Sequence, residues 1–207
     1  MDLGMDRGER RTAHQLVRDT LRRAILTGKV SAGTRLVQSD PALMAGLQLL
    51  RSRWRLSHVI HNDVRPENLI VRPDSSLVAI DWELAGLGEP LWDLGGLVAE
   101  HLVAFLEDGA TWARAGDRRA AASADSLGRL HRTTRRILEV YQADAAMNVH
   151  PVELVQWVAA RLALTAMERC TAASAVPASC RHLLQVAANL FRRPEAGARI
   201  FLGANPL

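Results

Sequence analysis

Three oxygen-bearing side chains, Asp63, Asn68 and Asp81, are spaced so that chemistry can follow from them. Asp63 ends the polar run His61-Asn62-Asp63. Asn68 opens an apolar, β-branched stretch to Val71, and Asp81 lies in a second apolar run from Leu77 to Trp82. Between the two runs, Pro73-Asp74-Ser75-Ser76 is a turn signal. The pattern predicts a short β-hairpin. With the turn at residues 73–76, Arg72 pairs with Leu77 and Asn68 faces Asp81 at the open end. Opposed residues in such a pair have Cβ atoms about 5 Å apart. An amide oxygen and a carboxylate held this way suit Mg²⁺, which takes hard oxygen ligands and keeps waters and substrate phosphates as its other partners. Asp63, on the loop beside them, is a separate carboxylate able to take the proton of an attacking hydroxyl. General bases of this kind contribute roughly 10²–10⁴-fold.

These side chains must be positioned by the elements around them. Ala13, Leu16, Val17, Leu21, Ala24 and Ile25 recur at helical spacing, so residues 12–27 read as an amphipathic helix ended by Gly28. A short extended piece, Thr34 to Gln38, follows. Ser39 or Asp40 can cap a second helix with Pro41 at its first position, running to about Arg53. Beyond the hairpin the chain reads as helical. Leu94, Leu97, Val98, Leu102 and Phe105 share one helix face. Residues 110–124 read as a surface loop or weak helix, and further helices are expected at about 125–144, 151–173 and 178–192.

Three fragments in this order resemble a known family. His61-Asn62-Asp63-Val64-Arg65-Pro66-Glu67-Asn68 resembles the catalytic loop of the aminoglycoside phosphotransferase and choline kinase superfamily: His, a small residue, Asp, four intervening residues, then Asn. Ile80-Asp81-Trp82-Glu83 is similar to its metal-binding strand end, and Gly88-Glu89-Pro90-Leu91-Trp92-Asp93-Leu94 to the segment that follows. Glu89 stands where the family usually has Asp, and Asn62 where Gly is commoner. The resemblance implies Asp63 as catalytic base, Asn68 and Asp81 as Mg²⁺ ligands, and His61 and Asp93 as braces of the loop. It implies ATP or another nucleoside triphosphate with Mg²⁺, and a small-molecule or peptide hydroxyl as acceptor. Arg65 and Glu67 read as solvated loop charges, and Trp82 and Glu83 as packing behind the site.

The implied fold is α+β and mostly α-helical. It is the larger lobe of a protein-kinase-like fold over residues 41–207, with a short β-hairpin at the catalytic site. The small N-terminal lobe is expected to be absent or vestigial, because few residues precede His61. Its phosphate-binding lysine has no clear counterpart. Lys29 is the single lysine of the chain and reads as a surface turn residue. Residues 12–40 instead resemble the opening of a GntR-type winged helix, making residues 1–40 a truncated winged-helix-like segment without its recognition helix.

Two alternatives therefore accompany the phosphotransferase expectation. One is an inactive or half-enzyme acting through a protein partner that supplies the missing lobe. The other is a DNA-binding regulator. The net charge of +4 is small and its arginines are scattered, so composition does not point to a nucleic-acid partner. Cys170 and Cys180, ten apart, fit no metal motif and read as buried thiols. The start of the chain lacks an apolar signal core and no apolar run approaches the ~20 residues of a membrane span, so a cytoplasmic protein is expected.

Overall fold

Proline punctuates the helices. Pro41, Pro90, Pro151 and Pro194 each open one, because the first helical position needs no N–H donor and favours the φ that proline fixes. A computed structural model describes residues 40–112, 119–145, 147–172 and 177–203. The expectations for residues 1–39, including Lys29 and the winged-helix likeness, lie outside the described residues.

The elements in chain order are α1 (Pro41–Arg53), β1 (His58–Ile60), a 3-10 turn (Pro66–Asn68), β2 (Leu69–Val71), β3 (Leu77–Ala79), a 3-10 turn (Trp82–Leu84), β4 (Gly86–Gly88), α2 (Pro90–Trp112), α3 (Arg119–Ala145), α4 (Pro151–Ala172), α5 (Ala178–Arg192) and α6 (Pro194–Leu202). The fold is mostly helical, with two small two-stranded sheets. Among the described residues no helix is long and apolar enough to cross a membrane. Asp40 is the cap of α1, its side chain accepting from the N–H groups of Ala42 (2.9 Å) and Leu43 (3.3 Å). Helices α2 and α3 together leave only 113–118 undescribed, so both extend further into the 110–124 stretch than its composition suggests. Helix α6 lies in the stretch that reads as helical, beyond the helices whose bounds were expected.

The core is built by α4, which packs on α5, α2 and α6, with α1 lying over α5 and α4. Leu94, Val98 and Leu102 of α2 are buried as their spacing predicts, while Leu97 is partly exposed and Phe105 packs at the edge of the core. Three tryptophans join the helices beneath the site. Trp54 closes α1, Trp92 lies in the first turn of α2, and Trp157 lies in α4; their rings meet edge to face, with centroids 5.6, 5.8 and 6.4 Å apart. Such pairs add roughly 0.5–1.5 kcal/mol each beyond area burial. The cluster thus gives the site a rigid floor.

The strands form two ribbons. β1 pairs antiparallel with β4, Val59 opposite Leu87, which joins segments on either side of the hairpin. A Cβ at Gly88 would lie 2.3 Å from Ile60 Cδ1, so any side chain there would force the buried Ile60 to move. β2 and β3 form the expected hairpin, but its register differs from the expectation by one residue. Leu69 pairs with Ala79, Ile70 with Val78 and Val71 with Leu77. Asn68 therefore stands opposite Ile80, whose N–H donates to its carbonyl at 2.9 Å, and not opposite Asp81. The cause is the turn. Arg72 exchanges bonds with Ser75 and Ser76, leaving a three-residue loop, Pro73-Asp74-Ser75. Ser75 takes the left-handed conformation (φ 66°) and the Asp74 carboxylate accepts the Ser76 N–H at 3.0 Å. A loop one residue shorter than a four-residue turn slips every pair by one.

Candidate active site

Asp63 sits in the loop between β1 and the first 3-10 turn, and both of its carboxylate oxygens are engaged. Oδ1 accepts from Arg65 Nε at 2.9 Å, and Oδ2 from Asn68 Nδ2 at 3.0 Å. Asn68 also donates to the Asp63 carbonyl at 2.9 Å, so one buried amide fixes both the backbone and the side chain of Asp63. With its nitrogen so committed, the Asn68 amide oxygen is the group left to accept. Asp63 keeps 24% of its side-chain surface exposed.

The loop is anchored from below. Asp93, in the first turn of α2, accepts from His61 N–H at 2.6 Å and Asn62 N–H at 2.9 Å. A carboxylate there also meets the favourable end of the helix dipole. Burial pushes the Asp93 carboxyl above its ordinary range, outweighing these two bonds and the nearby Arg161 charge. His61 is buried and ties the loop to the strand end. Its Nε2 stands 2.7 Å from the Ile80 carbonyl, which can only accept, so the ring proton belongs on Nε2. Nδ1 is then free to accept the Asp63 N–H at 3.4 Å.

Asp81 does not face Asn68 across the hairpin. It leaves the β3 end in the left-handed conformation (φ 62°, ψ 55°) and starts the turn of Trp82–Leu84. Its neighbours on both sides touch His61: the Ile80 carbonyl through the bond above, and the Trp82 ring at 4.6 Å between centroids. Asn62 adds a bond from Nδ2 to the Leu84 carbonyl at 3.3 Å. The Asp81 turn and the Asp63 loop are thereby laced together. Asn62, like Asp81, is left-handed (φ 73°). Left-handed residues other than glycine cost about 1–3 kcal/mol each and collect at functional sites, though Asn and Asp tolerate them best. Among the described residues there is no cluster of three His, Cys, Asp or Glu side chains able to hold a metal.

Several contributors escaped the sequence reading. Arg65 is no free solvated charge, since its Nη2 also donates to Glu168 of α4 at 3.1 Å. Burial of Arg161 beneath the loop, at 4% exposure, was not anticipated. Glu89 is also buried, at 1% exposure, with Oε2 accepting from Arg55 Nε at 3.0 Å and Oε1 lacking a partner. The available signal was periodicity: Leu154, Arg161 and Glu168 recur every seven residues on α4, placing charge in an otherwise apolar stripe. Glu67 is exposed, as expected.

Comparison with known proteins agrees with this geometry. Protein LicA of Haemophilus influenzae is 46% identical over 43 residues, which is 20% of this chain and 16% of that protein. A second Protein LicA of the same species matches equally over 12% of its length. The chain thus matches only a small part of these curated relatives. No solved structure matches it. A model of the phosphotransferase enzyme family matches residues 6–136, a span that includes the whole Asp63 loop, both ribbons and the segment with the winged-helix likeness. With more than half its length so matched and the loop braced as above, the chain belongs to the phosphotransferase enzyme family.

Proposed function

We propose that the chain carries the catalytic half of an ATP- and Mg²⁺-dependent kinase-like enzyme, transferring the γ-phosphate to a hydroxyl of a small molecule or peptide. The observation that carries this reading is the Asp63 carboxylate, fixed through both oxygens and still accessible. Asp63 orients the acceptor hydroxyl and receives its proton. Asn68 and Asp81 would hold Mg²⁺, which would supply neutralisation of the phosphate charge. Arg65 stands beside the reacting carboxylate and keeps it aimed. His61 and Asp93 hold the loop so that little reorganisation is needed when substrates arrive. A thermal-shift titration tests nucleotide binding. Mg·ATP at a hundredfold excess over its dissociation constant should stabilise the chain by about 2.7 kcal/mol. Asp81→Asn should weaken that stabilisation when Mg²⁺ is present and leave the small effect of metal-free ATP unchanged.

One observation favours a second reading, a half-enzyme that acts with a partner lobe. Large apolar side chains lie bare along both ribbons: Leu56, Val59 and Leu87 on one, and Ile70, Val71 and Leu77 on the other, at 48–71% exposure. Monomeric proteins rarely leave such a concentration of apolar surface uncovered, and it often marks an interaction site. A body carrying the small lobe would cover these ribbons and complete the nucleotide site. On this reading Mg·ATP gives no thermal shift until that body is added.

A further inference from the structure

Arg161 is the most deeply buried cation beneath the site, and the reaction scheme above leaves it unused. It lies in α4 at 4% exposure. A guanidinium so buried is costly unless something depends on its charge. Among the described residues no carboxylate is in direct ion-pair contact with it. Its Nη1 donates to the Asn62 carbonyl at 3.3 Å, and its guanidinium carbon lies 4.7 Å from the centroid of the Trp92 ring. Asp63, Asp93 and Glu168 surround it with negative charge, and Arg65 opposes it.

The packing leaves room for this one group. At Gly96 of α2 a Cβ would stand 2.9 Å from Arg161 Nε and 3.2 Å from its guanidinium carbon. At Gly95 a Cβ would stand 2.9 Å from Trp157 Cβ and 3.0 Å from the Trp157 backbone. The two adjacent glycines let α4 approach α2 closely, one turn of α4 presenting Trp157 and then Arg161. The target of the guanidinium is an unusual peptide. Asn62 is left-handed, and its carbonyl also accepts from Trp92 Nε1 at 3.3 Å. Its N–H is held by Asp93. The next residue is Asp63.

We propose that Arg161 is a positioning residue, which locks the Asn62 peptide in its left-handed turn and so sets the direction of the Asp63 carboxylate. It does not touch substrate. Asp93 holds the N–H side of the turn, while Arg161 and Trp92 hold the carbonyl side. A neutral side chain of equal length would fill the same space beside Gly96 and leave the carbonyl to Trp92 alone.

The test has two arms, of which only the second rests on the phosphotransferase reading. The first is amide hydrogen exchange by NMR at His61, Asn62 and Asp63 in the wild type, Arg161→Met, Arg161→Lys and Gly96→Ala. Losing a hydrogen bond from a charged group changes a local opening equilibrium by about 10- to 100-fold. Exchange at these three amides should rise by that factor in Arg161→Met. Arg161→Lys, which keeps the charge, should recover part of the protection. Gly96→Ala, which displaces the guanidinium while keeping it, should raise exchange at the same three amides. The second arm is steady-state transfer from ATP. Arg161→Met should lower kcat with the KM for ATP little changed, and Arg161→Lys should restore part of kcat. Unchanged exchange at residues 61–63 in Arg161→Met overturns the proposal. So does exchange raised equally along α2 and α4, which would make Arg161 a packing residue only. If the wild type transfers no phosphate, the phosphotransferase reading fails, and the exchange arm still decides the role of Arg161.

Discussion

Replacing Asp93 by Asn keeps the size of the side chain and removes half of what it does. The carboxylate accepts two backbone N–H groups, from His61 at 2.6 Å and from Asn62 at 2.9 Å. An amide offers one oxygen and one NH₂, so one of the two N–H groups must face a donor. A hydrogen bond to a charged acceptor contributes about 1.5–3 kcal/mol, and an orphaned buried donor costs a similar amount. Against this, the variant no longer buries a charge. What remains is the N–H left facing the NH₂ group, at about 1–2 kcal/mol, and at roughly 2–4 °C per kcal/mol in a chain of this size the melting temperature should fall by about 2–8 °C. The pH dependence supplies a second signature. Burial raises the folded pKa of Asp93, so the folded state holds that proton more tightly than the unfolded chain. Stability from this group is then greatest below the ordinary carboxylate pKa of about 4 and declines as pH rises through the raised folded value. Asp93→Asn lacks that decline, so the gap between wild type and variant should narrow as pH rises through the window and stay constant above it. Differential scanning calorimetry from pH 4 to 8 reads both effects. A melting temperature within about 1 °C of wild type at every pH would refute the bracing role of Asp93.

Arg55 and Glu89 should respond unequally to mutation, because Arg55 is 66% exposed and Glu89 only 1%. Arg55→Ala strands a buried carboxylate and should destabilise the fold clearly more than Glu89→Gln, which leaves only an exposed arginine, both read by urea unfolding. Equal costs would contradict the burial of Glu89. The Cys170 thiol is pushed up to about 12 by burial and by Cys180 beside it. Alkylation of Cys170 at pH 8 should therefore be far slower than that of an ordinary thiol and rise steeply above pH 10, as followed by mass spectrometry; a rate that levels off near pH 9 would count against it.

How much of this was legible in sequence depends on the range of the interaction concerned. The Asp40 cap, the proline starts and the α2 stripe are local, and local chemistry fixes them within a turn or two. The Asp63 loop was legible because its polar residues keep a fixed order, and the bracing by His61 and Asp93 follows that order. The hairpin was legible as an element but its register was not, since a single left-handed Ser75 decides between a three- and a four-residue loop. Asp81 therefore starts its own left-handed turn and does not face Asn68. The β1–β4 ribbon joins strands separated by the whole hairpin, and β4 is the tripeptide Gly86-Leu87-Gly88, which has no strand pattern. Glu168 and Arg161 lie about a hundred residues from the loop they hold, and their seven-residue spacing marks a buried stripe without naming that partner.

Asp63 is the group whose loss should cost the most turnover. Transfer of the γ-phosphate from labelled Mg·ATP to acceptor hydroxyls should be measured for the wild type and Asp63→Asn, at nucleotide concentrations that saturate both. Loss of the general base should lower turnover by about 10²–10⁴-fold with nucleotide binding retained. Equal turnover in the two proteins, or no transfer by a wild type saturated with Mg·ATP and offered its acceptor, would contradict the assignment.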